Sequence, residues 1–171
     1  MTSSPARSLR NEAASTTLEM CSVRVGNTLF GVPITHILEI VGSARPTPVP
    51  LAPHCIGGLL HYRGEVLTTI SLRRLLGLSD RESIGEGANL TTQNILVLEN
   101  PGGCFGLLVD SVGEVIAVST ADYEPNPSIL DERRSALFAG AYKLREGLLV
   151  VLDPKLLDPV RLNPMQSREA S

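Results

Sequence analysis

His36, His54 and His61, the cysteines Cys21, Cys55 and Cys104, and the adjacent pair Asp110-Ser111 are the side chains of this chain whose types could bind a metal or do covalent or acid–base chemistry. Their spacing argues against each. A metal needs ligands that converge, yet no two histidines stand four apart, as on one helix face, or two apart, as on one strand face. The cysteines are odd in number and scattered, with no C-x-x-C pair, so they describe neither a disulfide framework nor a zinc site. They read as small apolar side chains. Asp110 and Ser111 are neighbours on a strand and so point to opposite faces. Gly57-Gly58 and Gly102-Gly103 lie at strand starts or turns, with nothing basic and no helix N-terminus after them to cradle a phosphate. Nucleophile-elbow, P-loop and H-E-x-x-H motifs are absent. The expectation is a non-enzyme with no catalytic residue, no metal and no cofactor.

Three charged residues point to recognition instead. Phe30 to Ile40 reads F-G-h-x-h-x-x-h-x-E-h, where h is apolar, and Phe105 to Val115 repeats it residue for residue. Two copies of an alternating strand segment predict two related halves. The copies end in Glu39 and Glu114, each with apolar flanks expected to face inward and leave the carboxylate on the opposite face. Each glutamate is either a solvated strand residue or a charged hot spot on a partner-binding face. Arg63, ahead of a Gly64 turn, is either a solvated hairpin charge or the cationic counterpart of Glu39. With Ile37 and Leu59 nearby, these residues would make an apolar groove with a charged rim, the usual anatomy of an interface. His61, two residues before Arg63, carries an imidazole able to titrate near neutral pH.

The elements that must position these residues are short strands. Residues 1–18 are rich in Ser, Thr and Ala without apolar period and read as a disordered arm. Alternation begins at Glu19, turns at Gly26-Asn27 and returns through Leu29 to Val32. Pro33 cannot donate to a ladder, so the strand loosens there and resumes at Ile37–Val41. Four prolines in positions 46–53 make a stiff extended connection. A second hairpin spans Ile56–Ile70 with its turn at Gly64-Glu65. Leu72, Leu75 and Leu76 give a short amphipathic helix that Gly77 stops. Ser79–Gln93 is a polar loop or seam. The order then repeats: strands at Asn94–Leu98, Phe105–Val109 and Gly113–Val118, a connection through Pro125 and Pro127, and a hairpin at Phe138–Leu152. A closing helix is expected at Pro154–Leu157, capped by Asp153. The folded unit is placed at 19–158, with a flexible tail at 159–171. Many short, evenly spaced strands imply an all-β fold of small antiparallel barrels.

Composition sets the outer bounds. The chain has 171 residues, 43% hydrophobic and only 4% aromatic, with no Trp, so its core is expected to be aliphatic. A net charge of −3 without like-charge blocks argues against nucleic acid or an anionic membrane as the main partner. No apolar run is long enough to span a bilayer, and no h-region follows Arg7 and Arg10, so cytoplasm is the default. The residues alone leave open an interaction module or a small β-barrel sensor or enzyme. A nucleic-acid-binding barrel is disfavoured by the missing stacking aromatics.

Taken together, Phe30…Pro33-Ile34…Ile37-x-Glu39-Ile40, Thr47-Pro48-Val49-Pro50, Ile56-x-Gly58…Arg63-Gly64, Ile70-x-Leu72-Arg73 and Gly106-x-x-Val109-Asp110-x-Val112 resemble the CheW family of chemotaxis adaptors. The similarity runs from about Met20 to Leu157. It implies two intertwined five-stranded SH3-like β-barrels with an aliphatic core between them and one or two short helices. It implies no enzymatic activity, and a scaffold that couples the cytoplasmic tip of a transmembrane chemoreceptor to the regulatory domain of a CheA-like histidine kinase. Such a protein is a monomer alone and forms rings in arrays at the inner membrane, without inserting into it. By position, Ile37, Glu39, Gly58 and Arg63 match sites that bear on partner binding, as do Gly106 and Val115 in the second half. His61-Tyr62 stands where the family usually has Asn-Leu, and Thr68 and Ser71 where it usually has Pro and Asp. These residues flank the presumed groove, so they bear on which partners bind and admit a non-flagellar system such as surface sensing or twitching.

Overall fold

A computed structural model describes residues 15–78, 93–125, 136–160 and 162. The first hairpin joins β1 (Thr17–Val25) to β2 (Thr28–Pro33), turning at Gly26 with φ 59°. Pro33 ends β2, a 3-10 turn at Ile34–His36 redirects the chain, and β3 (Ile37–Ala44) leaves for a different sheet. After the proline-rich connection come β4 (Ile56–Tyr62), β5 (Glu65–Ser71) and the short helix α1 (Leu72–Leu75). Ser71 caps α1 by accepting from the Arg74 N–H, and Gly77, at φ 74°, stops it.

The second half repeats this order with β6 (Gln93–Asn100), β7 (Gly103–Val109), β8 (Ser111–Ser119), the two-residue β9 (Tyr123–Glu124), β10 (Phe138–Leu144) and β11 (Gly147–Leu152). Again the third strand changes sheet. One sheet therefore has the order β8-β1-β2-β11-β10-β9 and the other β3-β6-β7-β5-β4. Each sheet curls into a small barrel that mixes strands of both sequence halves, so the repeat units and the barrels do not coincide. Two parallel contacts sit at equivalent places, Gly31 beside Val151 and Gly106 beside Thr69. Equivalent bulges carry Gly58 and Gly140, each at positive φ.

Burial divides into three clusters. The largest lies between the barrels and takes residues from both sheets, among them Val23, Leu72, Leu96, Leu98, Leu107 and Leu152. Each barrel has its own smaller interior, Met20, Val118, Tyr142, Leu149 and Val151 in one and Ala44, Leu60, Ile95 and Leu108 in the other. The core is mostly aliphatic, as the composition implied. Yet Phe30, Phe105 and Phe138, all the phenylalanines of the chain, are buried in the shared cluster.

Three boundaries differ from the sequence reading. Thr17 and Leu18 belong to β1 and pair with Ser119 and Val118, because β8 extends the ladder beyond the apolar run. Asp153 does act as a cap, accepting from the Lys155 N–H at 2.9 Å, but Pro154–Leu156 is a turn rather than a helix. Leu162 is buried in the shared core, so packing continues past residue 158. Residues 1–14, most of the expected loop (79–92), Pro127 and residues 163–171 lie outside the described residues.

Candidate interaction site

The two edges of the smaller barrel are β3 and β4, and the segment just after β3 meets β4 through a pair of main-chain hydrogen bonds between Thr47 and Leu59, both 2.8 Å. Glu39 and Arg63 lie along the same seam. Arg63 and Gly64 form a two-residue hairpin turn with φ 47° and 80°, the double left-handed geometry that matches strand twist. This aims the Arg63 side chain across the seam, where Nη2 donates to Glu39 Oε2 at 3.2 Å. Its guanidinium also stands 5.3 Å from the centroid of the Tyr62 ring. Of the two readings of Arg63, counterpart of Glu39 is the one seen. The side chains are 74% and 41% exposed, so the pair contributes no more than about 1 kcal/mol to stability and is cheap to open.

Glu39 reaches this position through a bulge. Ile37 pairs with Leu98 and Glu39 with Val97, so one extra residue, Leu38, is accommodated between them. Ile37 therefore packs against the shared core, while Glu39 is turned to the opposite face. The expectation that the flanking apolar residues face inward fails here. Leu38 and Ile40 are 48% and 46% exposed, because β3 is an edge strand and nothing covers them among the described residues. Glu39 of the ion pair and two exposed aliphatic side chains thus share one edge strand. The Glu39 carboxylate, as hydrogen-bond acceptor, pushes the Tyr62 phenol above its usual value. Cys104 is pushed up by burial first, then by Glu99 and Glu65. His61 is exposed and lies opposite Val66, on the other face of the hairpin from Tyr62.

The remaining residues singled out from sequence divide by role. Gly58 has φ 128°, and a Cβ there would stand 2.5 Å from the Thr47 carbonyl oxygen, so glycine is what lets the seam close. Gly106 is hemmed in by Ile95 and Thr69, each 2.9 Å from a would-be Cβ. Both glycines shape the barrel. Val115, on β8, is 57% exposed. Glu114 is exposed too, and its flanks Gly113 and Val115 are also exposed rather than inward-facing. The symmetry places Arg145 where Arg63 stands, yet among the described residues Glu114 and Arg145 form no ion pair. The repeated motif therefore has an assembled charge pair in one barrel only.

Reading the residues as a sequence missed one ion pair altogether. Arg73, buried at 5% exposure, holds Asp110 through two hydrogen bonds of 3.2 and 3.1 Å. A pair of arginines, Arg73 and Arg74, within a short leucine-flanked helical turn was the available signal. Among the described residues no three of His, Cys, Asp or Glu gather as a metal site. A groove of about 450 Å³ between β1, β8 and the first 3-10 turn is lined by residues such as Leu18, Glu19, Met20, Ile34 and Ala117. Its lining combines apolar side chains with Thr17, Glu19 and Thr35.

Comparison with known proteins bears on the family and the fold. The CheW-like domain model matches residues 19–159. The chain is 29% identical to the chemotaxis protein CheW of Rhizobium meliloti, covering 90% of this chain and 92% of that protein. It is 30% identical to the chemotaxis protein CheW of Helicobacter pylori, over 79% of this chain and 78% of that one. Protein FrzA of Myxococcus xanthus is 31% identical over 64% of each chain. In fold, the chain is similar to the scaffolding protein CheW of Thermoanaerobacter tengcongensis, with a TM-score of 0.68, 24% identity, and coverage of 81% and 90%. Two SH3-like barrels sharing one core and a family match over most of its length identify the chain as a chemotaxis coupling adaptor that belongs to the CheW-like domain family.

Proposed function

We propose that the seam carrying Glu39, Tyr62 and Arg63, with the apolar flanks Leu38 and Ile40, is one docking surface for a CheA-type histidine kinase or a chemoreceptor tip, and that β8 around Val115 offers a second. The observation that carries this is the Glu39–Arg63 pair, 3.2 Å apart and open to solvent, with Glu39 on an edge strand that also carries the exposed aliphatic side chains Leu38 and Ile40. Such a pair adds little to the fold but is well placed to exchange partners, giving specificity and orientation at the rim of an apolar contact. Coupling is then geometric: a receptor shift alters the contacts the adaptor offers the kinase. Working in the cytoplasm beside the membrane suits this role. No helix of the described residues is long and apolar enough to cross a bilayer. His61 and Tyr62 border the site and are the residues through which partner choice differs, including a pathway other than flagellar chemotaxis.

Arg63→Glu tests the proposal. The fold tolerates it, since the pair is exposed, but it sets two carboxylates facing each other and removes the cation a partner would engage. Pull-down of receptor and kinase by this variant is expected to fall at least tenfold. Undiminished capture of both would remove Arg63 from the site.

A further inference from the structure

Asp110 stands between β7 and β8, where the chain crosses from one barrel to the other. Its Oδ1 accepts from Arg73 Nε at 3.2 Å, and its Oδ2 from Arg73 Nη2 at 3.1 Å and from the Gly26 N–H at 2.8 Å. Its main chain is held as well: the N–H donates to the Arg24 carbonyl at 3.1 Å, and its own carbonyl accepts from Asn94 Nδ2 at 3.4 Å. One residue thus joins the β1–β2 turn of the larger barrel, the helix after β5 of the smaller one, and the crossover itself. Arg73 is buried, so this two-pronged pair is screened little by salt.

Among the described residues the other crossover has no such carboxylate clasp; there His36 Nδ1 stands 3.3 Å from the Glu99 carbonyl, the place that Arg24 holds opposite Asp110. The symmetry puts Thr35 in the place of Asp110, Lys155 in that of Arg73 and Pro101 in that of Gly26. Thr35 and Lys155 are exposed, and a proline has no N–H to give. The chain there makes a 3-10 turn instead. A clasp built at one crossover and missing at its twin is a specific feature of that place, not a by-product of the fold.

We propose that Asp110 is a positioning residue, clasped by Arg73 and the Gly26 amide so that it fixes where β8 begins and holds Gly113–Val115 in register against β1. The segment needs such an anchor. β8 is an edge strand, and its ladder with β1 shifts register between Cys21 and Val23, opposite Val112–Val115. Inside this irregular stretch Ser22 Oγ donates to the Glu114 carbonyl at 2.7 Å, and a Cβ on Gly113 would stand 2.6 Å from that same Ser22 hydroxyl. Edge segments with broken ladders open locally unless tied at an end. The step from this anchor to docking at Val115 rests on the adaptor function proposed above; the anchor itself does not.

Amide hydrogen exchange on the isolated full chain tests it. Asp110→Asn keeps the shape and an acceptor for Gly26 but loses the charge, and Arg73→Lys keeps the charge but loses the fork. Both are expected to speed exchange at Val112–Val115 at least tenfold while Ile37–Val41 in β3 stays unchanged, with Arg73→Lys the milder. A uniform rise over both barrels, or no change, overturns the proposal, since a pair that merely stabilises would act on all strands alike. Should Asp110→Asn fail to fold, Arg73→Lys alone decides by the same comparison. Wild-type protein that failed to bind a receptor-tip fragment would defeat the adaptor reading and leave the exchange result standing.

Discussion

Gly31 and Gly106 hold the same position in the two barrels, each in a strand running parallel to its neighbour and directly beneath that barrel's side chains. A Cβ on Gly31 would stand 2.8 Å from Leu149 Cδ2, and one on Gly106 would stand 2.9 Å from Ile95 Cγ2. The preceding residues, Phe30 and Phe105, point the other way into the shared core. The repeated Phe-Gly is therefore a packing code, a large ring toward the partner barrel and no side chain toward the barrel's own interior.

Glycines at the seam and at the turn are expected to differ. Gly58→Ala strains a φ of 128° and meets a backbone oxygen, so it should destabilise by about 2–3 kcal/mol. Gly64→Ala faces open space at φ 80° and should cost only about 1 kcal/mol. Urea unfolding of the two variants side by side measures the difference.

Arg63 separates binding from stability. Its φ of 47° suits glycine, so Arg63→Gly removes the ion pair yet relieves the turn. Thermal unfolding should stay within about 1 kcal/mol of wild type, while capture of receptor and kinase falls as it does for Arg63→Glu.

Stability is expected to fall in alkali. Burial raises the thiols of Cys21 and Cys55 above their usual value of 9.0. The native state keeps these protons where the unfolded chain has lost them. Their contribution is thus complete below the unfolded thiol value and declines as pH rises toward the native one. The double variant Cys21→Ala, Cys55→Ala should show a flatter decline in unfolding free energy above pH ~9. Alkylation of native protein should label Cys104 first, since it alone of the three is not fully buried.

Tyr62 reports the seam directly. The Glu39 carboxylate holds its phenol above the ordinary tyrosine value, and the nearby Arg63 only partly offsets this. Glu39→Gln should lower the titration midpoint of Tyr62, read by ultraviolet difference spectra or by NMR. An unmoved midpoint would show that the carboxylate does not engage the ring.

Much of this arrangement was legible from the residues because it is local. The Gly26-Asn27 turn, the interruption at Pro33 and the stop at Gly77 are set by backbone preferences within a few positions and stand where the sequence put them, while the second turn falls at Arg63-Gly64, one residue before the expected Gly64-Glu65. What a strand pairs with is not local. β3 comes after β2 in sequence but joins β6, which begins only at Gln93, with Ile37 opposite Leu98. The exposure of Leu38 and Ile40 depends on a bulge and on an edge position, neither of which alternation encodes. The Arg73–Asp110 clasp joins residues 37 positions apart that carry no shared local pattern.

The crossing of strands has a consequence for the order in which the protein is made. β3 to β7 of the smaller barrel are continuous in the chain, from Ile37 to Val109, so that barrel can close as soon as Val109 leaves the ribosome. The larger barrel cannot, because β2 must wait for β11 to arrive beside it, with Gly31 meeting Val151. Roughly forty more residues separate the two events, about 2–8 s of synthesis. During that interval β1 and β2 are an unfinished edge whose apolar faces lie open, and the nascent chain is most exposed to misassembly just before the adaptor becomes whole.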